Sequence, residues 1–262
     1  MKIVVCIKQV PDTSDIKWSE NNTIIREGVE SILNPYDSYA LEMALKIKDK
    51  LPSSEITVLT MGPSQAKDIL KRAIATGADR GILLSDKKFA GADTQATSRT
   101  ISAIIRNKLH DTDIIICGQF AIDGDTAQTG PSIAAHLNLP QVTYAKELID
   151  VDESSITIKK DTDYGYQTVK MMLPGILCVT KNKEIPRKFT IKGTIKAYNA
   201  DIETYSLVDT GLTPKEVGIS GSPTYVSKAF RPQRQKECEF FDYSNNPEET
   251  TNIIADKLSN FI

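Results

Sequence analysis

The sequence has 262 residues, which is enough to bury a sizeable core in one large domain or in a domain with an extension. Its 34 acidic residues nearly balance its 32 lysines and arginines, which argues against general nucleic-acid binding through a basic surface. No apolar stretch approaches the ~20 residues of a membrane span, and the first apolar run is too short for a signal peptide, so we expect a cytoplasmic protein that binds neither nucleic acid nor a membrane.

The first half of the sequence alternates between predicted strands and predicted helices. Residues 2–9 are a continuous apolar run, which is typical of a strand buried on both faces. Asn34-Pro35 then combines an N-cap residue with proline at the first helical position, and Gly77 is placed for a left-handed C-cap. This alternation implies an α/β fold with a parallel sheet and right-handed crossovers. Further strands are predicted at residues 55–60, 80–84 and 113–117, and helices from residues 35, 64, 93 and 132.

Four loops leave the carboxyl ends of these strands, which is where parallel sheets bind ligands. They hold most of the Gly, Pro, Asp and Thr of this half of the chain. Loops of this composition are usually ordinary turns. Four of them at one sheet edge, each suited to close approach of the backbone, favour a nucleotide site. The four loops cover residues 9–13, 60–64, 85–94 and 118–130.

The loop at residues 118–130 is the most informative segment. It joins a predicted strand to a predicted helix at 132–137, an arrangement that brings backbone N–H groups and a helix N-terminus to a phosphate. The alternative is an ordinary strand-to-helix turn with an Asp or Thr N-cap. The loop matches neither the GxGxxG nor the Walker fingerprint. Its side chains suited to ribose or ribityl hydroxyl groups are Asp123, Asp125, Thr126, Gln128 and Thr129.

After Pro140 the pattern changes to consecutive strands. Strands are predicted at residues 143–151, 154–160 and 166–173, antiparallel at first. The apolar residues 175–180 are predicted to return to the main sheet.

The remainder of the chain has weak periodicity. Residues 182–240 have little core of their own, which is uncommon inside a compact domain. Their apolar and aromatic content favours packing on another chain over a disordered tail. A final helix begins at Asn246-Pro247 with a capping box. We therefore expect an α/β domain at residues 1–183, followed at 184–262 by a docking region and an arm with a terminal helix.

The cysteines and histidines do not form a metal or catalytic set. There is no C-x-x-C pair, which argues against zinc and iron–sulfur sites. Three of the cysteines lie in apolar strand-like runs, as inert buried thiols do. Two isolated histidines, His110 and His136, provide neither a metal site nor a catalytic triad. The cysteines are Cys6, Cys117, Cys178 and Cys238.

Five ordered motifs run through the chain: VCIKQVPD at 5–12, NPYD at 34–37, MGP at 61–63, GADRG at 77–81 and AIDGDTAQTG at 121–130. Together they resemble the β subunit of electron-transfer flavoprotein, and the resemblance covers nearly the whole chain. The resemblance implies a heterodimer with an α subunit. It also implies a doubly wound, mostly parallel sheet of flavodoxin-like, adenine-nucleotide-binding type and a C-terminal arm that wraps the α subunit.

The resemblance further implies an adenine nucleotide bound by this chain. In the housekeeping branch of the family the nucleotide is AMP, whereas in the electron-bifurcating branch it is a FAD that exchanges a hydride with NADH. Residues 10–13 and the run Asp123-Gly124-Asp125-Thr126-Ala127 resemble the bifurcating branch, and Gly124 lacks a side chain that a longer ligand would not tolerate. The resemblance therefore predicts FAD, with NAD(H) as exchangeable electron donor or acceptor, and AMP is the alternative.

The same resemblance predicts the partners. Electrons would pass through the flavin of the α subunit to a flavin-dependent dehydrogenase, of acyl-CoA or 2-hydroxy-acid type, and to ferredoxin. The flavin carries the chemistry, so no catalytic side chain is expected. Ile191 aligns with the family's protruding leucine anchor and is the candidate contact for the dehydrogenase. The alternative is a single exposed isoleucine, which needs no explanation.

Carried over by position, the resemblance assigns residues to the nucleotide. The N–H groups of 125–129, with Gly124 and Gly130, would face the phosphates, and Ala127 leaves room for their approach. Asn34 and the backbone at Cys6 and Met61 would meet the adenine edge, while Asp123 and Gln128 would take hydroxyl groups. The full set is Cys6, Asn34, Pro35, Tyr36, Asp37, Met61, Gly118, Gln119, Ala121, Asp123, Gly124, Asp125, Thr126, Ala127, Gln128, Thr129 and Gly130.

Two positions need separate interpretation. Tyr36 aligns with an aromatic residue near the α-subunit flavin, and its alternative role is packing at the start of a helix. Where the family usually has arginine or lysine followed by glutamine, this chain has Gln119 and Phe120. An amide does not replace a cation beside a diphosphate or an anionic flavin, so the source of positive charge in the site stays open.

Overall fold

The computed structural model describes residues 1–12, 17–18, 24–25, 31–227 and 240–259. Contacts between residues separate two compact units, Met1–Lys228 and Ala229–Ile262. The first unit is built around a nine-stranded sheet. Its strands, with the short pairs beside the sheet, are β1 (Lys2–Cys6), β2 (Gln9–Pro11), β3 (Lys17–Trp18), β4 (Ile24–Ile25), β5 (Ser31–Leu33), β6 (Glu55–Met61), β7 (Arg80–Leu84), β8 (Ile114–Gly118), β9 (Gln141–Val151), β10 (Ser155–Thr162), β11 (Gly165–Met172), β12 (Gly175–Val179) and β13 (Ile202–Tyr205).

The helices of the first unit cover both faces of this sheet. Apolar side chains of α1, α2 and α5 pack on one face, and those of α3, α4 and α6 pack on the other. Successive residues of β1 alternate between the two cores, with Ile3 and Val5 in one and Val4 and Cys6 in the other. A strand with both faces covered has to be continuously apolar, as residues 3–7 are. The helices are α1 (Pro35–Lys50), α2 (Lys67–Thr76), α3 (Thr94–Lys108), α4 (Thr129–Leu137), α5 (Ile191–Asn199) and α6 (Leu207–Thr210).

The sheet is mostly parallel. Its order from edge to edge is β11-β10-β9-β12-β8-β1-β6-β7-β13. The strands from β9 to β13 in this order pair in parallel, whereas β10 pairs antiparallel with both β9 and β11. The predicted α/β class, the doubly wound arrangement and the return of residues 175–180 to the main sheet are confirmed.

The strand order differs from the flavodoxin type that the resemblance implied. The β-α repeats enter the sheet as β1, β6, β7 and β8, and β1 lies between β6 and β8. In the flavodoxin order 2-1-3-4-5 the first strand lies between the second and the third, whereas here the order 3-2-1-4 is that of the dinucleotide-binding type. The two strand orders differ in whether the third or the fourth strand pairs with the free side of the first strand. Periodicity along a single strand does not show this, so the sequence pattern alone did not distinguish the two orders.

Residues after the predicted boundary at 183 contribute to the first unit. Helix α5 packs on α2, and β13 pairs with β7 at the edge of the sheet, with Ile202 opposite Gly81. Ala197, Ile202 and Leu207 are buried in the two cores. The first compact unit therefore extends past residue 183, because α5, β13 and α6 each bury an apolar side chain in one of its two cores.

The second unit contains the predicted terminal helix, α7 (Pro247–Ser259). Within it, Asn246 donates from its side chain to Glu249, and Thr250 N–H bonds to the Asn246 carbonyl. Several large apolar side chains of this unit are exposed, among them Phe240, Tyr243 and Leu258. None of the helices in the described ranges is both long enough and apolar enough to cross a membrane.

Candidate nucleotide-binding site

The candidate site lies where the winding of the sheet reverses. From β1 the chain first builds β6 and β7 on one side, and then crosses to place β8 on the other. Loops leaving the carboxyl ends of two such strands diverge, and the crevice between them is where open α/β sheets bind ligands. At this edge Cys6 ends β1 opposite Cys117, and Gly118 ends β8.

Asn34 ties three segments together at this crevice. Its side-chain Nδ2 donates to the Phe120 carbonyl at 2.9 Å, and its Oδ1 accepts from the Ile122 N–H at 3.3 Å. Its backbone N–H donates to the Lys8 carbonyl at 3.0 Å. Asn34 occupies the predicted N-cap position of α1, but its fully buried side chain makes no capping hydrogen bond to the helix and instead reaches across to the β8–α4 loop.

Asp37, in the first turn of α1, joins the carboxyl ends of β1 and β8. Its Oδ2 accepts the Lys8 N–H at 2.7 Å. Burial raises the pKa of Asp37 to about 7, while hydrogen bonds from the Asn34 side chain and from the Lys8 and Gly118 backbone favour the ionised form. A Cβ on Gly118 would lie 2.2 Å from Asp37 Oδ1, so only glycine allows this close approach.

The β8–α4 loop presents backbone groups in an unusual conformation. The N–H groups of Gly124 and Asp125 both donate to the Ala121 carbonyl, at 3.2 and 2.8 Å, which closes a tight turn. Asp125 and Ala127 then have φ angles of 51° and 54°. Left-handed residues in such a turn form a concave nest of N–H groups that suits an anion, and a non-glycine residue held there costs about 1 kcal/mol or more.

The turn changes one expectation about the phosphates. The Asp125 N–H is already engaged with Ala121, so it is not one of the groups left for a ligand. In the part of the chain that the structure describes, the N–H groups of Thr126 and Ala127 make no hydrogen bond. Gly124 has open space around it, since nothing lies within 4 Å of the place where its Cβ would be.

A row of thiols lies beneath the start of α4. Cys6, Cys117 and Cys178 are neighbours across β1, β8 and β12 and share one core. A Cβ on Gly130 would lie 2.4 Å from Cys178 Sγ, so glycine lets the first turn of α4 rest on this row. Burial raises the pKa of Cys178 to about 12, and the hydrogen bond with Cys6 together with burial raises that of Cys117.

Both buried thiols therefore stay protonated and unreactive at neutral pH. Among the described residues no group of His, Cys, Asp and Glu has the arrangement of a metal site. Cys238 and Thr13, which the sequence analysis singled out, lie outside the described residues.

Aromatic rings and a cation form the rim of the crevice. The rings of Tyr36 and Phe120 have centroids 4.1 Å apart and are tilted by 40°. Lys181 Nζ lies 4.9 Å from the centre of the Tyr36 ring. Burial and the nearby Asp125 carboxylate raise the pKa of Tyr36, which therefore stays neutral. Phe120 thus packs on Tyr36 at the rim of the crevice.

Gln119 does not face the crevice. Its side chain is buried, and its Oε1 accepts the Tyr144 N–H of β9 at 2.9 Å. On the β1 side, Lys8 Nζ contacts both carboxylate oxygens of Asp123, at 2.7 and 2.9 Å. Among the described residues, Lys8 and Lys181, which follow β1 and β12, bring positive charge to this edge, whereas position 119 does not.

The structure brings most of the predicted site residues together. Cys6, Met61 and residues 34–37 and 118–130 all lie at the carboxyl edge of β1, β6 and β8. Lys8, Lys181 and Thr94, whose hydroxyl lies 3.2 Å from that of Thr126, were missed. The available signal for Lys8 was its charge near the end of the first predicted strand.

Ile191 lies elsewhere, at the start of α5 beside the C-terminal end of α2. Its side chain is 85 % exposed, and Ile195 and Tyr198, at 60 % and 81 %, lie on the same helical stripe. The opposite side of α5 is fixed, because a Cβ on Gly193 would lie 2.0 Å from the Ala75 carbonyl oxygen. The orientation of the apolar stripe towards solvent is therefore set by close helix packing.

The fold and the crevice define a doubly wound α/β domain of the kind that binds nucleotides at its switch point. Residues 21–210 match the family described as "Electron transfer flavoprotein domain". The chain belongs to the electron-transfer flavoprotein family, and among its members it matches β subunits.

Three relatives illustrate the match. The chain is 44% identical over 233 residues to "Caffeyl-CoA reductase-Etf complex subunit CarD" of Acetobacterium woodii, covering 88% of each chain. It is 43% identical over 241 residues to "Electron transfer flavoprotein subunit beta" of Megasphaera elsdenii, covering 90% of this chain and 89% of the relative. It is 41% identical over 244 residues to "Protein FixA" of Sinorhizobium fredii, covering 90% and 85%.

Proposed function

We propose that this chain is the small subunit of a heterodimeric, electron-bifurcating electron-transfer flavoprotein. It binds FAD at the crevice between β1 and β8. In this role it passes electrons between NAD(H), the flavin of an α subunit, a flavin-dependent dehydrogenase and ferredoxin. The observation that carries the proposal is the β8–α4 loop, a nest of backbone N–H groups at the switch point whose Gly124 leaves room for a ligand longer than a mononucleotide.

The residues of the crevice fit such a group. The N–H groups of Thr126 and Ala127 suit phosphate oxygens, and the Asp123 carboxylate and Gln128 amide suit hydroxyl groups. Asn34 and Asp37 act as positioning residues, because both are buried and both hold the loops against each other. A bound FAD would supply hydride exchange with a nicotinamide and transfer of single electrons.

Two further surfaces fit the partners of such a subunit. The exposed stripe on α5, from Ile191 to Tyr198, suits a dehydrogenase, since clustered apolar side chains often anchor an interface. The exposed aromatic residues of the second unit, Phe240 and Tyr243 among them, suit an arm that packs on the α subunit. The relative named as a subunit of a reductase–Etf complex supports assembly of this kind.

The deciding experiment is flavin stoichiometry of the chain co-expressed with its α subunit, followed by anaerobic titration with NADH. Two FAD per heterodimer and prompt bleaching by NADH are expected. One FAD together with extractable AMP, and no response to NADH, would leave the alternative of a one-flavin shuttle.

A graded series at Gly124 locates the second flavin. A Cβ there meets nothing within 4 Å, so Gly124→Ala and Gly124→Val should both fold normally. If the second FAD lies against this loop, its occupancy should fall from wild type to alanine to valine while the α-subunit FAD is retained. Full occupancy in the valine variant would place the flavin elsewhere.

A further inference from the structure

The side chain that follows Gly118 at the end of β8 is turned away from the crevice. Gln119 is buried and bonded to the Tyr144 N–H of β9. The ammonium of Lys8 contacts the β8–α4 loop, because it lies 2.7 and 2.9 Å from the two carboxylate oxygens of Asp123. It belongs to the opposite wall of the crevice, directly after β1.

The backbone of Lys8 is held more tightly than its side chain. Its N–H donates to Asp37 Oδ2 at 2.7 Å, and its carbonyl accepts the Asn34 N–H at 3.0 Å. The Lys8 side chain, in contrast, is 48 % exposed, and that of Asp123 is 28 % exposed. The ammonium therefore extends from a fixed point into the mouth of the crevice, where solvent and ligands reach it.

An ion pair this exposed is weak. Pairs between solvent-exposed side chains contribute little to stability, so little opposes transfer of the ammonium to a stronger anion. A phosphate or diphosphate carries more negative charge than one carboxylate and offers more acceptor oxygens. The nest of N–H groups at Thr126 and Ala127 lies only a few residues from Asp123 on the same loop.

We propose that Lys8 is the phosphate-binding cation of the crevice and that Asp123 holds its ammonium at the mouth until a nucleotide phosphate takes it over. The inference rests on the nucleotide site of the proposed function. Lys8 then provides the positive charge at the crevice that the amide of Gln119 does not provide. The ligand class is a nucleoside phosphate, in which the phosphates and not the base contact Lys8.

The test compares the affinities of ADP and adenosine for the full-length chain by isothermal titration calorimetry. Lys8→Met removes the charge but keeps the length of the side chain, and Lys8→Arg keeps the charge. Lys2→Met is the matched control, because Lys2 lies at the other end of β1 and is also paired with a carboxylate, that of Glu55. Circular dichroism and thermal unfolding confirm that each variant folds.

Lys8→Met should weaken ADP binding by roughly tenfold or more, as loss of a charge-assisted hydrogen bond does, and should leave adenosine within about twofold. Lys8→Arg should retain most of the ADP affinity, and Lys2→Met should change neither ligand. Asp123→Asn should raise the ratio of ADP to adenosine affinity, because no carboxylate then competes for the ammonium. Both ligands contain the same ribose, so the effect of any contact that Asp123 itself makes with a ribose cancels in the ratio.

The outcomes separate this inference from the proposed function. If the wild-type chain binds ADP and Lys8→Met leaves the ratio unchanged, or weakens both ligands equally, Lys8 only shapes the loop and the inference is overturned. If Lys181→Met lowers the ratio instead, the cation lies on the β12 side. If the wild-type chain binds no ADP at all, the nucleotide site itself is refuted together with the inference.

Discussion

At the crevice three polar side chains, Asn34, Asp37 and Gln119, are buried, whereas on α5 three large apolar side chains, Ile191, Ile195 and Tyr198, are exposed. Asn34 and Asp37 hold loops against each other through hydrogen bonds, and Gln119 holds the start of the β8–α4 loop against β9. The exposed apolar groups have no such role within the first unit. Both arrangements reverse the usual distribution of side chains, and such reversals are expected where a protein serves function at some cost in stability.

In both regions a glycine allows two elements to come into close contact. Gly118 lets Asp37 approach β8, and Gly193 lets α5 approach α2. At Gly118 the close contact forms a buried polar cluster beneath the crevice. At Gly193 the close contact orients the apolar stripe of α5 outward. Substitutions in the crevice therefore test whether its stability depends on close packing. Substitutions on α5 test whether the exposed stripe is needed for docking.

The largest effect is expected from Gly118→Ala. The new Cβ would lie 2.2 Å from Asp37 Oδ1 and 2.8 Å from the Tyr36 carbonyl carbon, with no flexible neighbour able to yield. We expect a loss of about 3 kcal/mol in the free energy of unfolding, at the upper end of overpacking effects. Chemical denaturation measures it, with Gly124→Ala as the control, where the same change meets nothing within 4 Å and should cost little. Equal stability of the two variants would contradict the tight crevice.

The next effect is a pH dependence due to Asp37. Its pKa in the folded chain is about 7, above the ordinary value of 3.8, so the folded state binds the proton more tightly and this group favours folding at low pH. The contribution is lost as pH rises through 7. Relative to Asp37→Asn, the wild type should lose about 2 to 3 kcal/mol between pH 5 and pH 8. Denaturation curves at both pH values check this, and parallel curves for the two proteins would show that Asp37 does not titrate there.

A smaller loss is expected from Gly193→Ala on α5. The Cβ would lie 2.0 Å from the Ala75 carbonyl oxygen, but α5 is a surface helix at one edge and can shift. The gain of about 1 kcal/mol in helix propensity offsets part of an overpacking cost of ~1–3 kcal/mol, which leaves a net loss of about 1 kcal/mol. Urea denaturation measures it. A stabilised variant would mean that α5 does not depend on close contact with α2.

The smallest effect on stability is expected from Ile191→Ala. The same substitution should have a large effect on docking. The side chain is 85 % exposed, so the free energy of unfolding should change by less than about 0.5 kcal/mol. If Ile191 anchors the dehydrogenase, the KM of the heterodimer for an acyl-CoA dehydrogenase should rise at least about tenfold. Val208→Ala on α6, where the side chain is 89 % exposed, is the matched control. The same KM for both variants would refute the anchor.

Much of the fold could be predicted from local patterns. The apolar run of β1, the N-terminal proline of α1 and Gly77 after α2 are consequences of backbone geometry and burial, and these are local properties. The β8–α4 loop was recognisable because glycine and short polar residues follow a buried strand. Helix α4 begins at Thr129, earlier than the predicted start at residue 132, because the end of the loop is already helical.

The sequence by itself thus determined the α/β class and the family, and it predicted the edge of the sheet at which the candidate site lies. Only the tertiary structure decided the strand order around β1, the reach of Asn34 to the β8–α4 loop, the inward turn of Gln119 and the joining of β13 to β7. The physical reason is that these features depend on contacts between residues distant in sequence. The direction of a side chain at a loop is set by which partner lies nearby, and its own residue type does not encode that partner.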